Sequence, residues 1–381
     1  MRVLFVAPSL DIVGGQSIQA DLVMQRLRET SRVAVDFVPI NPRLPGPFRS
    51  VQSYRFVRTG PTFLYYVFNL FRAIRRCDLL HVFSASYLSF VLAPTPAILM
   101  GRLFGKKVLL NYHSGEADDH LSRWKSAVAL LRRVDLIVVP SDYLTSIFAK
   151  FGLEATVVNN VVDLTAFRYR PRVPLQPRFL VNRNLETHYN VACVLRAYQM
   201  LEARLPSALL TVAGEGPEGE ALRALAAALR LRNVFFTGRI TPSDMPRLYD
   251  GHDVFLNASD VDNMPLSILE AYACGLPVVS TDAGGIPFIV QSGTTGLLVP
   301  RGQHEALAQA ALRLFAEPDL GPGLVAGGRS ICERYTWENV GPAWLGAYEG
   351  LVGPSAPSRD QRNAGSKRGS SVSVERGTGG Q

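Results

Sequence analysis

Short apolar runs alternate with longer stretches of helical periodicity along most of residues 1 to 350. Runs of this kind are typical of buried parallel strands, and apolar positions three and four residues apart indicate helices that pack on such a sheet. The pattern therefore predicts an α/β protein. The predicted strands are Val3–Ala7, Val33–Val38, Leu79–Phe83, Val108–Asn111, Val134–Pro140, Phe179–Val181, Leu209–Ala213, Val234–Thr237 and Val278–Val279.

A proline-rich stretch, Arg170 to Pro177, separates two series of predicted strands and helices and is typical of a linker. At 381 residues the chain is too long for one ordinary core, so we expect two domains, residues 1–168 and 169–336. A last amphipathic helix is predicted over residues 337–353. The remaining residues, 354–381, contain almost no large apolar side chain and are expected to be disordered.

One helix of the first half has an ambiguous apolar side. Residues 61–76 predict an amphipathic helix whose C-terminal end carries Arg72, Arg75 and Arg76. Core packing is the expected role of its apolar side, and a surface that touches lipid is the alternative. The apolar positions are Phe63, Leu64, Val67, Phe68, Leu70 and Phe71.

Positive charge is concentrated in the first half of the chain. The net charge is +8, and the first 170 residues hold an excess of about nine positive charges. A nucleic-acid partner is suggested by the high pI alone, because no recognition motif with stacking aromatics is present. Attraction to an anionic membrane surface or to a phosphate-bearing acceptor fits this distribution better.

The cysteines and the apolar runs indicate a cytoplasmic protein. The four cysteines are widely spaced and form neither a metal-type pair nor a disulfide framework. The N-terminal apolar run is too short for a signal peptide. The longest apolar stretch, Leu79 to Met100, is interrupted by Pro94 and Pro96, so we expect no membrane span.

The segment Ser259–Pro287 organises the rest of the chain. Asp262 or Asn263 is a candidate cap, and Pro265 suits the first position of a helix that Gly275 ends. A short strand and a Gly-Gly turn follow. The segment therefore predicts the order loop, helix, strand and glycine-rich loop.

The start of this predicted helix is a candidate anion site. The free amides of Leu266 and Ser267, with the helix dipole behind them, suit a diphosphate. Asp262 precedes the helix and Glu270 lies roughly 7 Å along its axis, so the two carboxylates can bracket such a ligand, one facing a ribose and the other a sugar. A simple capped helix with a solvated glutamate remains the alternative at this point.

The segment from Asp262 to Pro287 resembles the signature of retaining nucleotide-sugar glycosyltransferases of family 4. That signature is Glu, seven residues, Glu, then Ala-x-Ala-x-Gly-x-Pro-Val-Val and a Gly-Gly-x-Pro turn. Glu270 takes the second acid position, and Asp262 takes the first with a shorter side chain. The resemblance implies the GT-B fold, in which two Rossmann-like α/β/α domains face each other across a cleft and the final helix crosses back to the first domain.

Further matches extend the resemblance over most of residues 1 to 350. Arg183 aligns with the family's arginine that binds the donor diphosphate. His188 aligns with the family's lysine that binds the same diphosphate. The resemblance gives catalytic roles to His113, Asp262 and Arg183. It also implies that a larger set of residues contacts the nucleotide-sugar donor. These residues are Gly14, Gly15, Arg183, His188, Gly214, Arg239, Asn263, Met264, Leu266, Ser267 and Glu270. A tight turn at Gly14 and Gly15, a structural His113 and a surface Arg183 are the alternatives for these residues taken singly.

The implied activity is sugar transfer from a nucleoside-diphosphate sugar to an acceptor hydroxyl, with retention at the anomeric carbon. The resemblance implies no metal and no other cofactor, because the helix dipole, arginine and lysine neutralise the diphosphate in these enzymes. A sugar-nucleotide epimerase on the same fold is one rival. A binding protein with weakened catalysis is another, suggested by the changes at Asp262 and His188. The sequence names neither the sugar nor the nucleotide nor the acceptor.

Overall fold

The protein contains two six-stranded parallel sheets. The computed structural model describes residues 1–11, 14–46, 50, 52, 54, 58–84 and 86–353, so the predicted tail at 354–381 lies outside the described residues. The first sheet has the order β2-β1-β3-β4-β5-β6. Its strands are β1 (Arg2–Ala7), β2 (Ala34–Pro39), β3 (Leu79–Ser84), β4 (Lys107–Tyr112), β5 (Leu136–Val139) and β6 (Thr156–Val157).

Seven helices connect the strands of the first sheet within the described part of the chain. The parallel strands require crossover connections, and the helices cover both faces of the sheet. These helices are α1 (Gly15–Glu29), α2 (Thr59–Ile74), α3 (Tyr87–Leu92), α4 (Pro94–Leu103), α5 (Ala117–Arg123), α6 (Lys125–Leu131) and α7 (Asp142–Lys150).

The second sheet has the order β12-β11-β10-β7-β8-β9. The predicted boundary between residues 168 and 169 lies in the connection between β6 and β7. The strands are β7 (Arg178–Asn182), β8 (Leu209–Ala213), β9 (Val234–Gly238), β10 (Val254–Asn257), β11 (Val278–Thr281) and β12 (Leu297–Val299). The helices that follow are α8 (Val191–Arg204), α9 (Gly219–Ala228), α10 (Met245–Asp250), α11 (Leu266–Cys274), α12 (His304–Ala316), α13 (Leu320–Glu333) and α14 (Trp337–Val352).

This architecture confirms the predicted fold class of two Rossmann-like α/β/α domains. Three strands, β6, β10 and β12, were not predicted, and β10 lies near the centre of its sheet between β7 and β11. The residues of β10 are completely buried, as expected for a central parallel strand. Its four-residue length leaves too little apolar pattern for a strand to be recognised from sequence.

The apolar side of α2 differs from the expectation. Tyr66, Leu70 and Ile74 are the residues of this helix that are buried in the core. Leu64, Phe68 and Phe71 of the predicted core side are instead exposed, although Leu70 is buried as expected. The helix thus presents apolar side chains both to the sheet and to solvent. No helix among residues 1–11, 14–46, 58–84 and 86–353 is long and apolar enough to cross a membrane.

The last helix belongs structurally to the first sheet. Val340, Trp344 and Tyr348 of α14 are buried in one cluster with side chains of β1, β3 and α1. The Tyr348 hydroxyl lies 2.8 Å from Nδ1 of the fully buried His81 on β3. Burial holds the pKa of His81 well below its ordinary value, so this imidazole is neutral and accepts or donates one hydrogen bond at each nitrogen.

We expect Tyr348→Phe to lower the free energy of unfolding by about 1–3 kcal/mol, because it leaves a buried nitrogen of His81 without its partner. Chemical denaturation followed by circular dichroism measures the change. Tyr169→Phe, which removes the hydroxyl of a partly exposed ring, is the control and should change stability much less. Equal changes in the free energy of unfolding for the two substitutions would show that the contact between Tyr348 and His81 does not stabilise the packing of α14.

Candidate active site in the interdomain cleft

The order of the second sheet reverses between β7 and β10, and the loops that follow these two strands diverge there. Ligands of open α/β sheets bind at such a switch point, beyond the carboxyl ends of the strands. Arg183 follows β7 directly, and Asn257 is the last residue of β10. The loop from residue 258 to residue 265 then leads into α11. The topology therefore brings Arg183 close to this loop, which carries Asp262 and which we call the acid loop.

Arg183 is fixed on three sides in this cleft. Its Nε donates a hydrogen bond of 3.0 Å to Oδ1 of Asn257, and its Nη2 forms a very short ion pair with Asp262. The guanidinium carbon lies 4.8 Å from the centre of the Tyr189 ring. Only 9% of the Arg183 side chain is exposed. The arginine is therefore a preorganised cation in a largely desolvated site.

The Asp262 carboxylate accepts further hydrogen bonds that hold it toward Arg183. The Ser259 hydroxyl donates at 3.2 Å and the backbone amide of Asn263 donates at 2.9 Å. The side chain is 11% exposed. Both charges of the ion pair therefore lie at the cleft, where solvent screens them weakly.

Two glycines hold the acid loop at close range. A Cβ on Gly284, whose φ is +52°, would lie 2.0 Å from the carbonyl oxygen of Asp262. A Cβ on Gly285 would lie 2.0 Å from the carbonyl oxygen of Asn263, and the Gly285 amide donates to the Asp262 carbonyl at 3.1 Å. Only glycine permits this approach without displacing the loop. The Gly-Gly turn thus sets the position of the acid.

The first domain also contacts the acid loop. Ser141, at the start of α7, donates a hydrogen bond to Oδ1 of Asn263. Asn160 donates to the carbonyl oxygen of Met264 at 3.2 Å. A Cβ on Gly115 would lie 3.2 Å from the backbone of Asp262. Asn263 and Met264 are therefore buried at the domain interface.

Helix α11 begins one residue later than predicted and has no side-chain cap. Pro265 is the N-cap residue in extended conformation, and Leu266 is the first helical residue. The predicted cap at Asp262 or Asn263 is wrong, because the Asp262 carboxylate turns back to Arg183 and the Asn263 amide oxygen accepts from Ser141. The first-turn amides consequently receive no side-chain acceptor from this loop.

A buried hydroxyl at the same helix end lacks a partner within the described part of the chain. The Ser267 Oγ is shielded from solvent and makes no hydrogen bond with any residue that the structure describes. Buried polar atoms are almost always satisfied, so an orphan at a helix N-terminus fits the binding of an anion there. A Cβ on Gly15 would lie 3.9 Å from Leu266, which places the glycine loop of the first domain beside this helix start.

Glu270 lies one turn further along α11 and is buried. The Tyr249 hydroxyl donates to its carboxylate at 2.7 Å. Burial raises the pKa of Glu270 to about 7, although the hydrogen bond from Tyr249 and the charge of Arg183 act to lower it. The residue lines a cavity of about 160 Å³ between the domains, together with Ile18, Phe167, Met245 and Leu266.

His113 follows β4 and carries no charge at neutral pH. Burial lowers the pKa of His113 to about 4, and its ring stacks on Phe83 with centres 5.3 Å apart. Its Nε2 is shielded from solvent and has no partner within the described part of the chain. The imidazole can therefore offer one donor or one acceptor to a polar ligand.

Two family models match most of the chain. The model described as “Glycosyltransferase Family 4” matches residues 13–166, and the model described as “Glycosyl transferases group 1” matches residues 176–317. The chain belongs to glycosyltransferase family 4. It is accordingly a glycosyltransferase that uses a nucleotide sugar.

Curated relatives are identical to this family 4 chain at about a quarter of the aligned positions. It is 28% identical over 279 residues to the GDP-mannose-dependent alpha-(1-6)-phosphatidylinositol monomannoside mannosyltransferase of Mycolicibacterium smegmatis, covering 65% of this chain and 72% of that protein. It is 26% identical over 284 residues to the sulfoquinovosyl transferase SQD2 of Arabidopsis thaliana, covering 68% and 54%.

Solved structures share the fold of this glycosyltransferase. Anabaena Alr3699/HepE in complex with UDP-glucose superposes with a TM-score of 0.74 at 18% identity, over 92% of this chain and 100% of that one. The sucrose-phosphate synthase of Thermosynechococcus elongatus superposes with a TM-score of 0.76 at 20% identity, over 92% and 98%.

The structure assembles part of the predicted site and leaves other residues at its edges. It brings Arg183 together with Asp262, and Gly15 close to Leu266. The His188 ring lies against that of Tyr189 at an interplanar angle of 48°, with ring centres 4.1 Å apart, and its Nδ1 lies 3.8 Å from Glu186. These contacts do not direct the imidazole toward Asp262, and the role of His188 stays a prediction.

Of three further predicted residues, Gly214 and Arg239 make evident structural contacts and Gly14 has open space beside it. A Cβ on Gly214 would lie 1.9 Å from the carbonyl oxygen of Arg183, so this glycine sets the spacing of the β7 and β8 loops. A Cβ on Gly14 would meet no atom of the described residues within 4 Å. Arg239 donates at 3.3 Å to the carbonyl oxygen of Asp11 across the cleft. Their contacts with a donor stay predictions.

Several residues of the site were not predicted. Asn257 and Ser259 orient the ion pair, and Tyr249 holds the Glu270 carboxylate. Asn257 and Ser259 follow from the strand β10, and recognition of the apolar run at residues 254–256 would have indicated them. The Tyr249 contact joins two separate helices and leaves no local sequence signal.

We expect Glu270→Gln to stabilise the unliganded protein progressively as the pH rises. The folded-state pKa of about 7 exceeds the ordinary value of 4.5, so the stability that Glu270 contributes is complete below about pH 4.5 and is lost as the pH rises through 7. Glutamine removes this loss. The free energy of unfolding of the variant should exceed that of wild type by roughly 1–3 kcal/mol more at pH 8 than at pH 5.

Denaturant unfolding across this pH range measures the difference. Glu220→Gln, at an exposed position of α9, is the matched control and should follow the wild-type pH dependence. Parallel stability curves for wild type and Glu270→Gln would contradict the raised pKa of Glu270.

Proposed function

We propose that the protein transfers a sugar from a nucleoside-diphosphate sugar to an acceptor hydroxyl with retention of the anomeric configuration. The observation that carries this proposal is the juxtaposition of Arg183 with the uncapped start of α11 at the switch point of the second sheet. Both features favour negative charge, and both lie where this fold class binds nucleotides.

The diphosphate would be bound by Arg183, the amides of Leu266 and Ser267 and the orphan Ser267 hydroxyl. In the unliganded protein the Asp262 carboxylate is the counter-ion of Arg183. A diphosphate would share or replace that contact. As the bond to the sugar breaks, negative charge accumulates on the leaving diphosphate, and these preorganised donors stabilise it most at that stage.

The nucleoside would extend from the diphosphate toward Glu270. The carboxylate lines the cavity of about 160 Å³ and lies one helical turn from the proposed diphosphate site. Ribose hydroxyls that donate to it would favour its ionised form and offset the burial that raises its pKa. Arg239 stands at the β9 turn and is one of the residues for which the family resemblance implies a contact with the donor.

The transferred sugar would lie between Asp262 and His113. Asp262 accepts from sugar hydroxyls, and the neutral His113 supplies a hydrogen bond without adding charge beside the anomeric carbon. The carbon–oxygen bond to the diphosphate breaks and the bond to the acceptor oxygen forms on the same face. The acceptor proton passes to the departing diphosphate oxygen, so atoms and charge balance without any further reactant.

We propose that this transfer uses no metal ion. The carboxylates that resemble a metal-binding Asp-x-Asp are already engaged, Asp262 by Arg183 and Asp260 by the side-chain amide of Asn190 at 3.0 Å. The positive end of α11 and Arg183 supply the positive potential that a metal otherwise provides.

For the acceptor we propose a lipid-linked hydroxyl that the enzyme reaches as a peripheral protein on the inner face of the cell membrane. A cavity of about 980 Å³ in the first domain has a mixed lining that suits an amphipathic ligand. Arg43, Arg58 and Asn41 supply polar groups, and Phe63 and Leu92 supply apolar surface. The mycobacterial relatives named for phosphatidylinositol monomannoside support this class of acceptor.

We expect a panel of nucleotide sugars to contain one donor whose sugar is transferred only when acceptor is present. Candidate acceptors are alkyl glycosides and phosphatidylinositol, both of which present alcohol hydroxyls. Proton NMR of the product reports the anomeric configuration, and an α-linked donor should give an α-linked product, because the new bond forms on the face that the diphosphate leaves.

The rival activities give different results in the same assay. Interconversion of the donor without acceptor would identify an epimerase, and nucleotide binding without turnover would identify a binding protein. Selective binding of nucleic acid would support the partner suggested by the pI alone. Each of these outcomes, or an inverted product, contradicts the proposed function.

A further inference from the structure

The exposed apolar side chains of this protein are concentrated on one part of the first domain. Of the thirteen large apolar side chains that are exposed among the described residues, seven lie on α2, α3 and α4. Five of them form two helical stripes, which we call the α2–α4 face. The α2–α4 face consists of Leu64, Phe68, Phe71, Leu99 and Leu103.

The spacing of these residues shows that the exposure is systematic. Positions 64, 68 and 71 recur at intervals of four and three on α2, and positions 99 and 103 recur at an interval of four on α4, so each set shares one side of its helix. The Phe71 and Phe104 rings meet edge to face with centres 5.7 Å apart, which joins the two helices. Leu64 is 68% exposed and Leu103 is 80% exposed.

Packing among the residues that the structure describes does not account for this face. Helix α2 already buries a separate apolar side against the sheet, formed by Tyr66, Leu70 and Ile74. Single exposed apolar residues are ordinary, but a contiguous exposed apolar surface indicates an interaction site.

Arginines border the face, and acidic side chains are nearly absent from this part of the sequence. Arg72 lies over the Phe68 ring at 5.5 Å, Arg75 lies over Phe71 at 4.3 Å, and Arg76 follows. Between residues 59 and 107 the sequence contains one acidic residue, Asp78, whose carboxylate is engaged by the backbone amide of Arg2. The face therefore combines aromatic groups with an unbalanced positive charge.

We infer that the α2–α4 face docks on an anionic lipid bilayer. Aromatic and leucine side chains on one side of a helix enter the boundary between headgroups and acyl chains, and neighbouring arginines bind lipid phosphates. A second copy of the chain is a poorer occupant, because a symmetric contact through this face would oppose the arginines of one copy to those of the other. This inference rests on the proposed lipid-linked acceptor.

Docking in this position would present the acceptor cavity to the membrane. The first turn of α2 lines the cavity of about 980 Å³ with Thr59, Thr62 and Phe63, and the exposed stripe continues along the same helix. A helix of 16 residues is about 24 Å long, so a membrane that contacts the stripe lies within one helix length of the cavity.

Vesicle co-sedimentation tests the inference with two compositions, phosphatidylcholine alone and a mixture containing phosphatidylglycerol. We expect the full chain to bind the anionic vesicles at least about tenfold more strongly than the neutral ones, and added salt to weaken this binding. The paired change Phe68→Ser with Leu103→Ser, and the triple change of Arg72, Arg75 and Arg76 to glutamine, should each reduce partitioning about tenfold or more.

Matched controls change the same residue types on the second domain. They are Phe235→Ser, and the triple change of Arg196, Arg204 and Arg230 to glutamine, all at exposed positions. These controls should bind anionic vesicles as wild type does. Equal binding to both vesicle compositions, absence of vesicle binding, equal losses in variants and controls, or a dimer that the face variants dissociate would each overturn the inference.

Measurements of nucleoside-diphosphate binding and of sugar transfer to a soluble acceptor separate this inference from the proposed function. The face variants should retain the wild-type affinity for nucleoside diphosphate and the wild-type turnover of any water-soluble acceptor, because the substituted residues lie outside the cleft. Vesicle binding by a protein that transfers no sugar would uphold the docking and refute the proposed function. Sugar transfer to a soluble acceptor by a protein that does not bind vesicles would refute the membrane docking alone.

Discussion

The ion pair between Arg183 and Asp262 is the interaction on which the candidate site depends. Its two side chains are about one-tenth exposed, so each charge has lost most of its hydration and relies on its partners. Asn257, Ser259 and the amide of Asn263 supply the additional hydrogen bonds that such a pair requires. Removal of either partner would leave an uncompensated charge in a weakly screened site.

The ion pair also explains the backbone around it. The Gly-Gly turn at 284–285 lies so close to the acid loop that a side chain on Gly284 would displace the Asp262 carbonyl and one on Gly285 the Asn263 carbonyl. Gly214 permits the equally close approach of the β8 loop to Arg183. The glycines therefore position charge, and their conformational freedom serves a tertiary distance that the neighbouring loops impose.

Both domains contribute to the position of the acid loop. Ser141 and Asn160 of the first domain bond to Asn263 and Met264, and Arg239 bonds back to Asp11. A change in the angle between the domains would alter these contacts together with the cleft. Closure over a donor is a common way in which transferases exclude water, and these hydrogen bonds are the ones such a motion would make or break.

Much of the fold was predictable because parallel strands and their covering helices have strong periodic patterns. The helix α11, its end at Gly275 and the following strand follow directly from local sequence. The partners of Asp262 and Glu270 did not, because Arg183 and Tyr249 are 79 and 21 residues away in sequence. The cap at Asp262 was wrong for the same reason, since a distant cation competes successfully for that carboxylate. The exposure of Phe68 was missed because periodicity identifies an apolar side without showing what covers it.

Calorimetry with the bare nucleoside diphosphate tests the central claim that Arg183 exchanges Asp262 for the donor diphosphate. We expect Arg183→Gln to lower the affinity for nucleoside diphosphate tenfold or more, because charge-assisted bonds to phosphate are lost. Asp262→Asn should retain or increase that affinity, because it removes a competitor for the same cation, while turnover with the sugar donor falls. Loss of nucleoside-diphosphate affinity in Asp262→Asn, with wild-type affinity in Arg183→Gln, would show that Asp262 and not Arg183 is needed to bind the diphosphate.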